Sequence, residues 1–381
     1  MRIIVAGDYS PLFDLQETLD RGDFESVFGS LRPFINDADY SIVNFETTVS
    51  DLVEGKIQKC GPHLKTNENS IRALKYAGFD CVTLANNHFR DYGDYGVKMS
   101  IDSIERHGLD YVGGGNNLSD ASKTLYKSID GKRIAIINAC EHEFSIADNE
   151  HGGSNPLDLI NQFNAIVEAK QCSDYTIVII HGGHEHYNLP SVRMKKAYRF
   201  FIDAGADVVV NHHQHCFSGY EVYKEKPIFY GLGNFCFPNM VKVEAPTFWN
   251  YGYMVSLDFG EGGIAFETIP YRQCFHGVGI EFLQDKEDFE KQIAEINKII
   301  QDDIVLKQKM EIFFSNDSRK SRFIWEPYRG KFFKGLYYYH LLPSLVTRRG
   351  DKLTMLYSML NCESHRDRMM YLLKGFMKDE I

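Results

Sequence analysis

The chain has 381 residues, a formal net charge of −10 at pH 7, 44% hydrophobic and 25% charged residues, which are the values of a folded chain long enough for two domains or one large domain with an appendage, and which exclude disorder, collagen or coiled coil as its architecture. The acidic balance excludes nucleic acid as the main partner. No apolar run approaches the ~20 residues of a bilayer span, and no signal-peptide layout precedes Ile3-Ile4-Val5-Ala6, so the sequence predicts no integral membrane segment and a cytoplasmic location.

In chain order, β-rich runs alternate with amphipathic stretches as far as about residue 270. Strands are expected at Ile3 to Ala6, Tyr40 to Asn44, Cys81 to Ala85, Ile134 to Asn138, Thr176 to Ile180 and Val208 to Val210. Helices are expected at Ser70 to Ala77, Gly96 to His107, Asn161 to Gln171 and Ser191 to Ala204. This rhythm predicts an α/β fold with parallel pairing. Ala77-Gly78-Phe79-Asp80 and Ala204-Gly205-Ala206-Asp207 each read as a helix stopped by Gly before a new strand. Later strands (Glu221 to Tyr223, Ile228 to Gly231, Tyr253 to Phe259, Ile264 to Tyr271) are bounded by turns and read as antiparallel. From 281 the character changes: Glu281 to Gln308 is helix-periodic, Arg319 to Leu353 is basic and aromatic, and Leu353 to Met377 is helical. The expected domains are 1–280 and a mainly helical C-terminal region, 281–381. Eight scattered cysteines without a C-x-x-C pair read as free thiols.

Ligand-type residues follow the strands. Asp8 follows the first, Asn44 and Glu46 the second, and Asn86-Asn87-His88 the third. His181-Gly182-Gly183-His184-Glu185-His186 and Asn211-His212-His213-Gln214-His215 follow two later ones. Parallel α/β sheets carry their sites at the carboxyl ends of strands, so five such clusters predict one site. Carboxylate, amide oxygen and imidazole suit a divalent metal (Mn, Fe, Zn or Mg) rather than copper or iron–sulfur. The lack of thiolate argues against structural zinc.

Several segments together are similar to one family. They are Gly7-Asp8, Asn44-Phe45-Glu46-Thr47, Thr83-Leu84-Ala85-Asn86-Asn87-His88 with Asp91-Tyr92-Gly93, and Gly113-Gly114-Gly115. They continue with His181-Gly182-Gly183-His184-Glu185, Ala204-Gly205-Ala206-Asp207, His212-His213-Gln214-His215 and Tyr230-Gly231-Leu232-Gly233-Asn234-Phe235. Over about residues 2 to 240 the chain resembles the bacterial capsule-synthesis (CapA, poly-γ-glutamate synthesis) family of the calcineurin-like metallophosphoesterase superfamily. The resemblance implies a four-layer αββα sandwich, here followed by a mainly helical C-terminal appendage.

It also implies roles. Asp8, Glu46, Asn87, His181, His213 and His215 match metal ligands for one or two ions, with Glu46 at the bridging position. His88 matches the histidine that gives a proton to a leaving group or holds an oxyanion. Asn86 or His212 could substitute for a neighbour one position away. Three departures stand out: Ser10 occupies the place of the second imidazole of D-x-H, Glu46 replaces the bridging Asp, and Asn211 replaces the Gly before the double His. The metal site with one imidazole fewer leaves a mononuclear centre open. Lys59, His63 and Lys65 lie in a loop expected over the site, where lysines suit phosphate or carboxylate. Asn44, His184, Glu185, Arg193 and Asn234 are expected to orient ligands or substrate.

Two functional readings follow. One is a metal-dependent hydrolase, a phosphoesterase above all, acting on a phosphorylated or anionic small molecule or polymer in capsular polysaccharide or poly-γ-glutamate synthesis. The other is a non-hydrolytic metal-binding component of a polymer-synthesis complex, serving amide-bond formation or polymer binding. The basic stretch from Arg319 to Leu353 either packs on the main domain, binds an anionic polymer, or docks on an anionic membrane surface.

Overall fold

In the computed structural model, residues 1–275, 277–316 and 350–378 are described. Strand β1 (Arg2–Tyr9) leads through short helices α1 (Phe13–Asp20), α2 (Phe24–Phe28) and α3 (Arg32–Ile35) to β2 (Tyr40–Phe45). Then come β3 (Thr48–Val49), β4 (Lys65–Thr66), α4 (Glu68–Ala77), β5 (Cys81–Thr83), α5 (Gly93–Arg106), β6 (Asp110–Val112), β7 (Gly114–Gly115) and α6 (Leu118–Ala121). The second half begins with β8 (Leu125–Ile129), β9 (Lys132–Cys140), β10 (Gly153–Ser154), α7 (Leu159–Cys172), β11 (Tyr175–His181), α8 (Val192–Ala204) and β12 (Val208–His212). It continues with β13 (Tyr220–Tyr223), β14 (Lys226–Phe229), β15 (Asn234–Cys236), a 3-10 turn (Phe248–Asn250), β16 (Tyr251–Gly260), β17 (Gly263–Gln273) and β18 (Ile280–Phe282). Helices α9 (Glu287–Gln301), α10 (Asp303–Asn316), α11 (Gly350–Asn361) and α12 (Glu363–Lys378) follow.

Two sheets form the two inner layers. One has eight strands in the order β18-β17-β16-β1-β2-β5-β6, with β15 also paired to β1. The other has six, in the order β13-β14-β12-β11-β9-β8. The period of two along a strand sorts β1 between layers: Ile3 and Val5 join one core with β9, β11 and β12, whereas Ile4 and Ala6 join a second core with α1, α4 and α5. Helices α7 and α8 cover the outer face of the six-stranded sheet through Ile166, Ala169, Met194 and Phe201. The result is the four-layer αββα sandwich. Helix α9 buries Phe289, Ile293, Ile296 and Ile300 in the first core.

One device repeats at the strand starts. The side chains of Asp39, Asp80, Asp174 and Asp207 accept from the amides of Arg2 (2.6 Å), Ser41 (2.9 Å), Arg133 (2.7 Å) and Thr176 (2.9 Å) on the neighbouring strands. Each aspartate satisfies an otherwise orphaned donor and fixes the register of a parallel pair. Both Gly-Phe-Asp and Gly-Ala-Asp stops work this way, with Gly78 at φ 101° and Gly205 at φ 125° ending α4 and α8.

The helix-periodic run from Glu281 divides in three. Ile280–Phe282 adds an edge strand, and the helical remainder breaks at Asp302, whose carboxylate accepts from the amides of Ile304 (2.9 Å) and Val305 (3.1 Å) and so starts α10. The stretch expected from Arg319 to Leu353 lies outside the described residues as far as 349. Helix α12 docks on the main body through Glu363 to His142 and Asp367 to Arg193. The eight cysteines form no disulfide. No helix among the described residues is long and apolar enough to cross a membrane.

Candidate metal centre

The pairs β1/β2 and β2/β5 of one sheet and β9/β11 and β11/β12 of the other are parallel, so the carboxyl ends of each sheet share a rim, and the contacts of Asp8 with His213 and of Asn44 with His181 bring the two rims together. Asp8 lies at the end of β1, Glu46 just past β2, Asn87 and His88 past β5, His181 at the end of β11, and His213 and His215 past β12. Glycine lets β15 come close: a Cβ on Gly7 would lie 1.9 Å from the Gly233 carbonyl oxygen. The Asp8 amide donates to that oxygen at 3.2 Å, which sets Asp8 beside Asn234. His213 (φ 90°) and His215 (φ 55°) hold left-handed backbone, a strain of about 1–3 kcal/mol each that packed surroundings must sustain.

Glu46 is fully buried, and neither carboxylate oxygen has a hydrogen-bond partner among the described residues. Its Oε1 lies 3.6 Å from His181 Nε2 and 3.6 Å from His215 Nε2. His181 Nε2 faces His213 Nδ1 at 3.0 Å and Asn87 Oδ1 at 3.1 Å. Asp8 accepts from Asn44 Nδ2 at 2.7 Å and from the His213 amide at 3.2 Å, and its Oδ2 lies 3.6 Å from His215 Nδ1. Two triads of convergent donors share Glu46: Glu46, His181 and His213 in one, Asp8, Glu46 and His215 in the other, with donor atoms within 4.8 Å of one another in each.

Burial dominates the electrostatics. It pushes Glu46 well above the usual carboxylate range, with Asp8, Glu185 and Glu143 adding repulsion. Burial also raises Asp8, against the favourable pull of His215, Asn44 and His213. It lowers His181 well below the usual histidine value, helped by His213, His212 and His215, and it brings His215 down to about 4 against Asp8 and Glu185. Orphaned carboxylate oxygens among neutral imidazoles suit a divalent cation, which supplies the missing partner, takes the imidazoles in the neutral form that burial already favours, and favours the ionised carboxylates that burial alone opposes. The residues present fit such an ion.

His88 stands beside this cluster. Its Nδ1 lies 2.8 Å from Asp91 Oδ2, and the same carboxylate receives the Leu64 amide at 2.6 Å and an ion pair from the buried Lys59. Lys59 Nζ is also 3.0 Å from His88 Nδ1. Burial and Lys59 lower the His88 pKa, whereas Asp91 pulls it up. Asp91 itself is held below its usual value: desolvation opposes this, and His88 and Lys59 outweigh it. With Nδ1 committed to Asp91, Nε2 is the nitrogen left for chemistry.

The family described as bacterial capsule synthesis protein PGA_cap matches residues 2–239. The chain belongs to the PGA_cap family. It is 36% identical over 247 residues to the capsule biosynthesis protein CapA of Bacillus anthracis, covering 62% of this chain and 60% of that protein. It is 34% identical over 226 residues to the PGA biosynthesis protein CapA of Bacillus subtilis (strain 168), covering 58% and 60%. The chain thus spans about three fifths of the length of these relatives. Among solved structures, a 5'-nucleotidase from Candida albicans SC5314 overlaps with a TM-score of 0.43 at 12% identity, covering 81% of this chain and 56% of that one.

The strand-end segments fall unevenly around the centre. The structure brings together Asp8, Asn44, Glu46, Asn87, His181, His213 and His215, with His88 and Lys59 at the edge. Asn44 holds His181 Nδ1 at 3.2 Å, and Asn234 Oδ1 holds His215 Nδ1 at 3.0 Å. His212 Nδ1 is 3.4 Å from Asp8 Oδ1, and burial lowers this histidine to about 3. Glu185 is exposed beside His213 and His215. Desolvation works against its charge, yet His213, His215 and His186 hold it down at about 2.

Other predicted residues are turned to other work. Asn86 braces the turn, donating to the Phe45 carbonyl at 2.8 Å and accepting from the His88 amide at 3.0 Å. Lys65 Nζ donates to the Leu52 carbonyl at 2.9 Å, and His63 Nε2 lies 2.7 Å from the Ile57 carbonyl. The His184 ring is buried against Phe313 and Phe314, where burial brings it down to about 3. Arg193 grips Glu141 at 2.5 Å and Asp367 at 2.8 Å. Sequence reasoning assigned no role to Asp91 or Glu143. Asp91 follows His88 by three residues in Asp91-Tyr92-Gly93, and that spacing is its signal. Glu143, 3.5 Å from His213 Nε2, follows β9 without a motif.

Proposed function

We propose that the chain is a metal-dependent phosphoester hydrolase serving the synthesis of a capsular or poly-γ-glutamate polymer. The observation that carries this reading is the buried Glu46 carboxylate, without a hydrogen-bond partner at either oxygen among the described residues and shared by two donor triads. Glu46, His181 and His213, with Asn87, would hold one divalent ion, and Asp8, Glu46 and His215 a second. Bound ions supply Lewis-acid polarisation of the ester and neutralise charge developed on it. Asn234 Oδ1 accepts from His215 Nδ1 and so leaves Nε2 of that ring free for a cation, while the Asn44 amide, which donates to Asp8 and faces His181 Nδ1, packs the two triads together. His88 delivers a proton from Nε2 to the departing alkoxide, and Asp91 holds the ring and stabilises its protonated form. Asn87 offers an amide donor beside His88. The polymer setting is supported by the names of the Bacillus relatives and by the family itself.

Ser10 favours a second reading. Its hydroxyl is buried without a partner among the described residues where the superfamily has an imidazole, so that position gives the Asp8 triad no nitrogen, and the nearest other imidazole is His212, 3.4 Å from Asp8 Oδ1. A centre short of one ligand suits a metal-binding component of a polymer-synthesis complex that does not hydrolyse esters. Elemental analysis of the wild type and His213→Ala, with hydrolysis of an aryl phosphomonoester and phosphodiester under added Mn, separates the readings. Hydrolysis and metal both lost in His213→Ala supports the enzyme. Metal bound without hydrolysis of either ester supports the second reading. No metal in either protein after Mn loading refutes both.

A further inference from the structure

A cavity of about 560 Å³ opens directly on the candidate centre, with His88, Glu185 and His215 in its wall. That size is ordinary for a small-molecule site, about 300–1,000 Å³. The rest of its lining is mostly apolar: Leu64, Phe237, Met240, Val241, Phe248 and Trp249 contribute. Among the described residues no Lys or Arg lines it. Its one carboxylate, Glu185, adds negative charge. A polyanionic chain entering here would bring charge that the wall does not neutralise.

The aromatic wall is built into the centre. Trp249 Nε1 donates to the Phe237 carbonyl at 2.7 Å, and its ring lies 4.8 Å from the His215 ring and 4.9 Å from that of Phe237. The Trp249 carbonyl accepts from Asn234 at 3.2 Å and from Gln273 at 2.9 Å. Asn234 is the same side chain that orients His215. Thr247 and Asn250 cap the short turn that carries the indole. At the rim, Met240 is 43% exposed, Val241 72% and Phe248 58%, a patch of apolar surface beside a polar centre.

We propose that this cavity takes the apolar, ring-bearing group of a phosphoester whose single phosphate lies at the metal centre, with Trp249 as its platform. The substrate class is then a compact amphiphilic phosphoester, not a polyanionic polymer. This rests on the hydrolase reading for the phosphate end alone. The wall selects the other end by removing apolar surface from water and by offering a rigid indole face.

Binding of two uncleavable probes to the Mn-loaded full chain tests it by calorimetry: naphthylmethyl phosphonate and hydroxyethyl phosphonate. The aromatic probe is expected to bind about tenfold tighter, and the preference to shrink to about twofold in Trp249→Ala. Phe248→Ala, at the exposed rim, is expected to lose part of the preference and guards against a folding defect in the first variant. In a Trp325→Phe background, which leaves Trp249 as the sole tryptophan, the aromatic probe is expected to quench the emission. Equal affinities for the two probes, or a preference unchanged in both variants, overturns the assignment. Ester hydrolysis without any aromatic preference leaves the hydrolase and removes the cavity assignment. Aromatic preference lost in Trp249→Ala, with no ester hydrolysed, keeps the cavity and removes the hydrolase.

Discussion

Glu46 Oε1 lies 3.6 Å from the Nε2 atoms of both His181 and His215, and among the described residues no hydrogen-bond donor reaches either oxygen of that carboxylate. Burying an unpartnered charged group costs several kcal/mol or forces it to protonate. A cation at the shared position removes that cost. Mn at 100 times its Kd is therefore expected to stabilise the chelator-treated protein by about 3 kcal/mol. Glu46→Gln is expected to unfold no earlier than the metal-free wild type and to gain nothing from Mn. Thermal unfolding with and without Mn checks both. An equal Mn-induced shift in the variant would show that Glu46 is not a ligand.

The His88–Asp91 contact predicts a separation between chemistry and metal binding. His88→Ala removes the proton donor but none of the six proposed ligands. Ester hydrolysis is expected to fall about 10²–10⁴-fold while metal content stays unchanged. Asp91→Asn keeps the shape but no longer stabilises the charged ring, so it is expected to lose activity in the same direction. The measurement is turnover of an aryl phosphomonoester beside elemental analysis of each variant. Metal loss in His88→Ala would move His88 into the ligand set.

Gly7 and the Gly233 carbonyl are pressed together so that Asp8 can reach the centre. Gly7→Ala would force β1 and the β14–β15 connection apart. Overpacking of this kind costs about 1–3 kcal/mol, and it displaces Asp8 directly. The variant is expected to melt earlier and to bind Mn more weakly than the wild type. Unchanged Mn affinity, read by calorimetry, would mean that the close approach does not position Asp8.

The inner strands were legible because each is a short apolar run followed by polar ligand types, so chemistry marked the strand ends. The Gly-x-Asp stops were legible for the same reason, since Gly78 and Gly205 had a local conformational task. What stayed hidden was long-range. The edge strands β8 and β18 are half-exposed, without strong alternation, and Asp302 interrupts a pattern that is otherwise continuous. Lys65 and Arg193 carry the right charge for a substrate contact, and nothing in the sequence tells that Leu52 and Glu141 engage them. Trp249 sits in a segment with no strand or helix period, so its contact with His215 emerges only from the folding of β15 against β16. His142 likewise reads as a loop histidine, and its partner lies 221 residues away.

That partner gives the last prediction. His142 Nδ1 lies 2.6 Å from Glu363 Oε1, and the His142 amide donates to Oε2 at 2.8 Å. Glu363 is the first residue of α12, where a carboxylate also suits the helix dipole. The hydrogen bond to Glu363 raises the His142 pKa; burial opposes it, and the Glu363 charge adds to it. A raised pKa means that the contribution is fully present below the unfolded value of about 6.5 and is lost as pH climbs through the higher folded value. For a partly exposed pair it is worth about 1 kcal/mol. Arg193 continues to hold Asp367 above that pH, so α12 is expected to loosen rather than leave. Hydrogen exchange over 364–373, corrected for intrinsic rates, is expected to show less protection at pH 8.5 than at pH 6. In His142→Asn the two pH values are expected to give the same protection. A pH effect that survives in His142→Asn would place the titrating group elsewhere.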